Sequence, residues 1–479
     1  MKRHSVMMTG LWSAWGTMSF CLLAGCAAIT PGSRIGEAGV APPGSWSTTR
    51  EARAGVDQRW IRKIGGAELA GLVAEALRAN PDLRAAAARV ERAAAQAQIA
   101  GAGRSPSLGI EGQGTRSQQR FVGLPIPGLS GAPASLINNF GVALNAAWEV
   151  DVWGRAKAGQ EAAIADAQGS ARDYEATRAS LAAQVAKAWL ALGEGNEQVA
   201  LAIEGLDARR QLATAVRERF ERAIIDDGGS AAQVRLTESE VATGEAALAQ
   251  RRQEKERAVR QLELLLGRYP SGKILTAAKL PGIPPVPPAG LPSELLLRRP
   301  DIQVAERRLA ASGRRTRQAE LARFPSLRLT GSAGTTTSSL RDVVNSNSGI
   351  WSIGGSLAQP LFEGGQITGE IQRAAADERE TAAALHRTVL VAFGEVEQAL
   401  VAEIYLRERE SAAGRAVALA RDAAQSATEE FTRGTGDVLT LIDTREQAIN
   451  TASQFTALRR LRLDNRIDLH LALGGDFSL

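Results

Sequence analysis

Side chains able to do chemistry are few in this 479-residue chain. Cysteine occurs only at positions 21 and 26, so Cys26 has no later partner for a disulfide or a thiolate metal site. His386 and His470 are each isolated within a helical segment, a placement that suits packing or surface residues rather than acid–base partners. No phosphate loop, nucleophile elbow or metal-ligand cluster occurs, so the chain is not read as an enzyme. One acidic stretch stands out, "GTGDVLTLIDTREQ" at 434–447. Its Leu439 and Asp443 are four residues apart and share one helix face, whereas Asp437, after Gly436, has the position of a helix N-cap.

Cys26 gains a use from what precedes it. Lys2 and Arg3 followed by an apolar run from Val6 to Ala24 form an export signal. A membrane-spanning anchor is the competing reading, because the run is near the threshold of ~18 residues for crossing a bilayer. The end of the run decides between them: Leu23-Ala24-Gly25-Cys26 resembles the lipobox of bacterial lipoproteins. That resemblance implies cleavage after residue 25, with S-diacylglycerol and N-palmitoyl groups on Cys26. Ala27, in place of an aspartate, implies sorting to the outer membrane. Cys21 and all four methionines then leave with the signal at 1–25, and a turn-rich tether follows at 26–62.

Lysine and arginine (57) are interleaved with aspartate and glutamate (52), which reads as solvated surface and excludes a nucleic-acid footprint. Aromatics at 4%, with abundant alanine and glycine, favour closely packed, elongated helices. The chain is also duplicated. "ANPDLRAAAARVERAAAQAQIAGAGRSPSL" (79–108) recurs as "RRPDIQVAERRLAASGRRTRQAELARFPSL" (298–327), with Pro81/Pro300 and Pro106/Pro325 both offset by 219. A first repeat at 63–278 and a second at 293–479 flank a stiff proline-rich crossover at 279–292.

Each repeat is read as two strands followed by a helical hairpin. Strands are expected at about 105–118, 139–153, 325–336 and 349–362. In 139–153, Phe140, Val142, Leu144, Ala146, Trp148, Val150 and Val152 are apolar, while Asn139, Asn145, Glu149 and Asp151 occupy the opposite face. Trp351, Ile353, Leu357 and Leu361 mark the fourth strand. Soluble half-buried strands would alternate in the same way. The lipid anchor, the two-hairpin arrangement and aromatics at Phe140, Trp148, Trp153, Trp351 and Phe362, where interfacial aromatics belong, favour a membrane barrel. Four strands cannot close one, the smallest barrel having about eight, so several chains must contribute.

The helical hairpins are placed at about 155–267 and 365–474. Val185, Leu192, Val199, Leu206, Ala213 and Phe220 recur every seven residues, with Leu181, Ala188, Gly195, Ala202 and Val216 on the accompanying coiled-coil seam, which only Arg209 breaks. A helix from 155 to 224 would reach ~100 Å. "DDGGS" (226–230) and "RGTGD" (433–437) break the long segments into hairpins. A lipoprotein coiled-coil scaffold would need these helices but not the alternating strand pairs.

The mature chain resembles the TolC-like outer-membrane efflux factors, in the lipoprotein branch that serves resistance-nodulation-division systems. The resemblance rests on "AAWEVDVWGR" (146–155), "GLPSELLLRRPDIQVAERRLAAS" (290–312) and "QPLFEGGQ" (359–366). It implies a mainly α fold with a membrane β-barrel part: a homotrimeric tunnel of twelve strands with long helical hairpins across the periplasm. It also implies an outer-membrane location, a periplasmic adaptor and an inner-membrane resistance-nodulation-division pump as partners, and passive conduction of small solutes or drugs. At the second tip, Leu439 would supply an apolar ring and Asp443 a carboxylate ring to the periplasmic gate, and Asp437 matches the acidic position of the non-lipidated branch. The first tip, "RFERAIIDDGGSAAQ", departs from the family spacing by about four extra residues, because the Phe220/Phe431 offset is 211 and the Gly267/Gly474 offset 207.

Overall fold

The structure, a computed structural model, describes residues 42–47, 60–120, 134–222, 230–274 and 279–475. Cys26, the signal and residues 223–229 of the first tip lie outside the described residues. In chain order the elements are α1 (Trp60–Ala79), α2 (Pro81–Ala102), β1 (Ser107–Arg120), β2 (Ala134–Val150), α3 (Arg155–Glu221) and α4 (Ala231–Leu265). The second half continues with α5 (Pro292–Arg298), α6 (Pro300–Leu321), β3 (Ser326–Thr337), β4 (Gly349–Ala358), α7 (Gln366–Arg433) and α8 (Val438–Ala472). Helices α2 and α6 have 22 residues each, α3 and α7 have 67 and 68, and α4 and α8 have 35 each. At 1.5 Å per residue, α3 and α7 are each about 100 Å long.

The two repeats close the same junction with different chemistry. Asn80 caps α2, its Oδ1 accepting from the Asp82 and Leu83 amides at 2.9 and 3.1 Å. Its Nδ2 donates to the Leu265 carbonyl at 2.9 Å, tying the start of α2 to the end of α4. In the second repeat Arg299 takes that place without capping α6. Its guanidinium donates to the Ala472 carbonyl at the end of α8 (3.2 Å) and pairs with Asp301 and Glu395, each at 2.6 Å. Burial opposes the charge on Arg299, but the two carboxylates prevail and hold its pKa above the ordinary arginine value.

Strand passes to long helix through a left-handed glycine in both repeats: Gly154 at φ 81° before α3 and Gly365 at φ 92° before α7. The hairpin tips differ. Nine residues connect α3 to α4, from 222 to 230, and Ser230 forms a capping box with Gln233. Four residues connect α7 to α8, beginning with left-handed Gly434 (φ 78°) and ending on Asp437.

Three apolar clusters hold the described residues together. One packs Trp60, Leu69 and Val73 against Leu181–Leu192 of α3 and Leu463 and Ile467 of α8. The second joins Leu295, Leu296 and Ile302 to Leu385, Val389 and Val396 of α7. The third lies at the tips, where Leu212 and Val216 meet Phe431, Val438 and Leu441. Small residues let the helices approach: a Cβ on Gly195 would lie 3.4 Å from the Lys255 Cα.

Three expectations change. The seven-residue seam holds at Val185 and Leu192, which are buried, but its last member, Phe220, is exposed. Leu206 stays buried, but a straight helix drifts about 20° per heptad, so nearest the tip the inward positions are Leu212 and Val216 in place of Ala213 and Phe220. The fourth strand ends at Ala358, four residues short of 362, because Pro360 has no N–H to give a ladder and Gly364 and Gly365 turn the chain into α7. The stretch read as a tether is packed at one point, since Trp46 belongs to the second cluster, and α1 already begins at Trp60.

Candidate functional site: a two-faced sheet and a helical tip

All four strands are antiparallel neighbours in one sheet, in the order β1-β2-β3-β4. Register then decides which residues share a face. Leu108 opposes Ala146 and Ile110 opposes Leu144; Leu144 opposes Ala333 and Trp148 opposes Leu329; Ala333 opposes Trp351 and Leu327 opposes Leu357. One face is therefore apolar across all four strands, and its Leu108, Ile110, Trp351, Ile353 and Leu357 are each at least 71% exposed. The other face carries Glu111, Asn139, Asn145, Arg328, Ser332, Thr336 and Ser352, joined by cross-strand hydrogen bonds. Asn145 donates to Glu111 (3.2 Å), Thr336 donates to Asn139 (2.8 Å), and the Ser332 and Ser352 hydroxyls are 2.8 Å apart. An exposed apolar face backed by a wet polar one is the chemistry of a membrane barrel wall, lipid outside and water inside. Among the described residues the outer edges of β1 and β4 are unpaired, and a sheet with bare edges cannot stand in lipid until other strands pair with them.

The interfacial aromatics fall into two groups. Trp148 and Trp153 lie at the end of the sheet that leads into the helices, where their indoles donate to the carbonyls of Arg104 (3.1 Å) and Pro325 (2.8 Å). Trp153 also stacks on Phe324 at 5.1 Å. Phe140, opposite Gly114 and Thr337, lies toward the other end, and Trp351, in register with Ala333 and through it Leu144, lies between the two levels. Phe140 and Trp148 share a face of β2, eight residues or about 26 Å apart along the strand, which at the usual tilt of about 40° covers about 20 Å of the ~25 Å apolar band of an outer-membrane barrel. Phe362 stands apart from both groups: it lies beyond β4 in the turn to α7, 91% exposed.

At the second tip Leu439 and Asp443 share one exposed side of α8, and Asp437 caps the helix. Val438 and Leu441 point into the third cluster, while Leu439 (55% exposed) and Asp443 lie on the opposite, exposed side of α8, followed by exposed Gln447, Asn450 and Gln454. Asp443 makes no hydrogen bond or ion pair among the described residues. Asp437 is the N-cap: its Oδ1 accepts from the Leu439 and Thr440 amides (2.7 and 3.1 Å) and its Oδ2 from the Thr440 hydroxyl (2.5 Å). The Thr440 hydroxyl, then the two amides, hold its pKa below the ordinary carboxylate value.

Charged residues absent from the expected site fix this helix from behind. Arg209, the break in the seam of α3, reaches Glu240 of α4 (3.3 Å) and Glu446 of α8 (3.0 Å). Arg445 donates back to the Ala208 carbonyl (3.0 Å) and to Thr428 (3.2 Å), and its burial lowers its pKa. Arg219 lies over the Phe431 ring at 4.0 Å and donates to the Phe431 carbonyl at 2.7 Å. The interruption by Arg209 was visible in the sequence; its carboxylate partners, on two other helices, were not.

A two-faced membrane sheet carried on helical hairpins about 100 Å long defines a membrane-embedded conduit. The chain belongs to the outer membrane efflux protein family, whose model matches residues 72–268 and 291–475. It is 30% identical to the pyoverdine export outer membrane protein OpmQ of Pseudomonas putida, over 96% of each chain. It is 29% identical to the cation efflux system protein CusC of Escherichia coli, over 85% of this chain and 86% of that one. The crystal structure of the Campylobacter jejuni CmeC outer membrane channel has the same fold, with a TM-score of 0.82, 23% identity and 93% of each chain covered. The chain is an outer-membrane channel of a tripartite efflux system, conducting solutes passively.

Proposed function

We propose that three copies of this chain close a twelve-strand barrel, anchored also by lipid on Cys26, and form the exit duct for a periplasmic adaptor and a resistance-nodulation-division pump. The observation that carries the assembly is the open four-stranded sheet with one lipid-compatible face: each bare β4 edge needs a β1 edge from the next copy. Leu439 and Asp443, on one exposed side of α8, then line the periplasmic constriction. Three facing carboxylates repel unless protonated or cation-bound, which makes a gate that favours cations. The duct itself catalyses nothing, and small organic solutes or drugs are its cargo, selected by the pump. Relatives named for pyoverdine export and for cation efflux fit a duct whose cargo is chosen elsewhere.

Native mass spectrometry and single-channel recording of the purified oligomer test this reading together. Trimers with stable conductance in planar bilayers are expected, and trimers without conductance would sink it. A coiled-coil scaffold, the alternative, would make no use of an exposed apolar sheet face.

A further inference from the structure

The apolar face of the sheet changes character at the outer end of β1. Leu108, Ile110, Gly112 and Gly114 are followed on the same face by Arg116, Gln118 and Arg120, all exposed. Those two arginines are the only charged residues that the described strands place on this outward face; Glu111, Glu149 and Arg328 lie on the other. Neither guanidinium makes a hydrogen bond or ion pair among the described residues. They stand nine and thirteen residues beyond Ser107, the start of β1 beside Trp148. At the usual strand tilt that is about 23 and 33 Å toward the outer side, and the apolar band of such a barrel is about 25 Å tall. Arg116 therefore falls at the outer margin of the band and Arg120 in the headgroup layer above it, where an outward arginine costs little. Beneath them the face is notched. A Cβ at Gly112 would meet nothing within 4 Å, whereas one at Gly114 would lie 3.2 Å from the Phe140 ring. The ring covers Gly114 and leaves Gly112, opposite Val142, as an open slot between Ile110 and Phe140.

We propose that this is a binding site for a phosphorylated glycolipid of the outer leaflet, with an acyl chain in the Gly112 slot and headgroup phosphates on Arg116 and Arg120. Charge complementarity commits the site to that occupant. A guanidinium meets a phosphate through two parallel N–H donors, and no carboxylate competes on this face of the described strands. The outer leaflet of a bacterial outer membrane is built of a lipid whose disaccharide headgroup carries two phosphates. Arginines that only snorkel to water need no apolar slot beneath them. Closing the ring adds strands at the edges of the sheet and leaves its outward face open, so each copy carries one site. The site rests on the barrel reading above.

Native mass spectrometry of the purified oligomer in detergent tests this, with lipid A, dephosphorylated lipid A and inorganic phosphate as probes. The oligomer should bind lipid A about thirtyfold more tightly than the dephosphorylated lipid; Arg116→Gln and Arg120→Gln should each weaken lipid A about fivefold, and together about thirtyfold. Gly112→Leu should weaken it several-fold with both arginines in place. Arg341→Gln, at an exposed arginine between β3 and β4, should change nothing. If the double variant does not assemble, Arg120→Gln alone, above the apolar band, decides. Unchanged lipid A binding by the arginine variants, or equal binding with and without phosphates, would overturn the site. Displacement of lipid A by millimolar inorganic phosphate would mark a free-anion site and overturn it as well. Oligomers that conduct in planar bilayers without preferring lipid A overturn this inference alone, whereas absence of conductance strikes the barrel reading beneath it.

Discussion

Each oxygen of the Asp437 carboxylate is engaged at the head of α8, whereas Asp443, two turns on, is exposed without a partner among the described residues. Asp443→Ala is expected to raise cellular leak to bulky antibiotics and to raise conductance; unchanged leak at normal protein level would remove Asp443 from the lumen. Asp437→Asn should keep the cap and the closed state, while Asp437→Ala should fray the first turn, read as several-fold faster hydrogen exchange at residues 439–441. The pH dependence has a definite sign. Because the native pKa of Asp437 is lowered, the cap contributes fully at neutral pH, weakens as pH falls below the ordinary carboxylate value of about 3.9, and is lost below the lowered native value. Exchange protection of the same amides, followed downward in pH, should fall in that window for the wild type and stay flat for Asp437→Asn.

Among the elements, the strands carry the clearest test of face. Ile353→Arg, on the apolar face of β4, should impair insertion, since an arginine on the lipid side costs about 2–4 kcal/mol near mid-membrane. Its neighbour Ser352→Arg, on the polar face, should insert normally and alter ion selectivity. Equal effects in a membrane-insertion assay would refute the face assignment. Arg209→Leu should destabilise the hairpins by about 1–3 kcal/mol, since it leaves Glu240 partly buried without its cation, and the double variant with Glu240→Leu should recover most of that. Thermal denaturation of the four members of the cycle measures it. These elements also show what the sequence could and could not disclose. Alternation in β2 revealed a face because its period is local, and Asp437 revealed a cap because a cap reads its own next three residues. Arg209 was visible only as an anomaly, one charge in a seam, and Trp46 lay unremarked in the expected tether. Their partners lie on other elements, up to 237 and 244 positions away. The overrun of the fourth strand to 362 had a local cause: apolar Leu361 continued the period-2 pattern past Pro360, which ends the ladder.

For the whole molecule, duplication explains why one chain carries two near-copies of a hairpin with unequal tips. Both junctions that close a repeat are kept, by Asn80 to Leu265 and by Arg299 to Ala472, yet the connections at the tips are nine and four residues. Helix α8 begins directly on its cap from a tight turn, which suits it to hold a constriction. The unpaired edges of β1 and β4 carry a genetic consequence. A chain whose β4 edge is blocked, for instance by Ile353→Pro, at a residue whose amide faces away from β3, still offers a sound β1 edge and can enter a ring that it then prevents from closing. Co-expressed in equal amount with the unaltered chain, it should leave only about one assembly in eight free of it, and so suppress efflux dominantly.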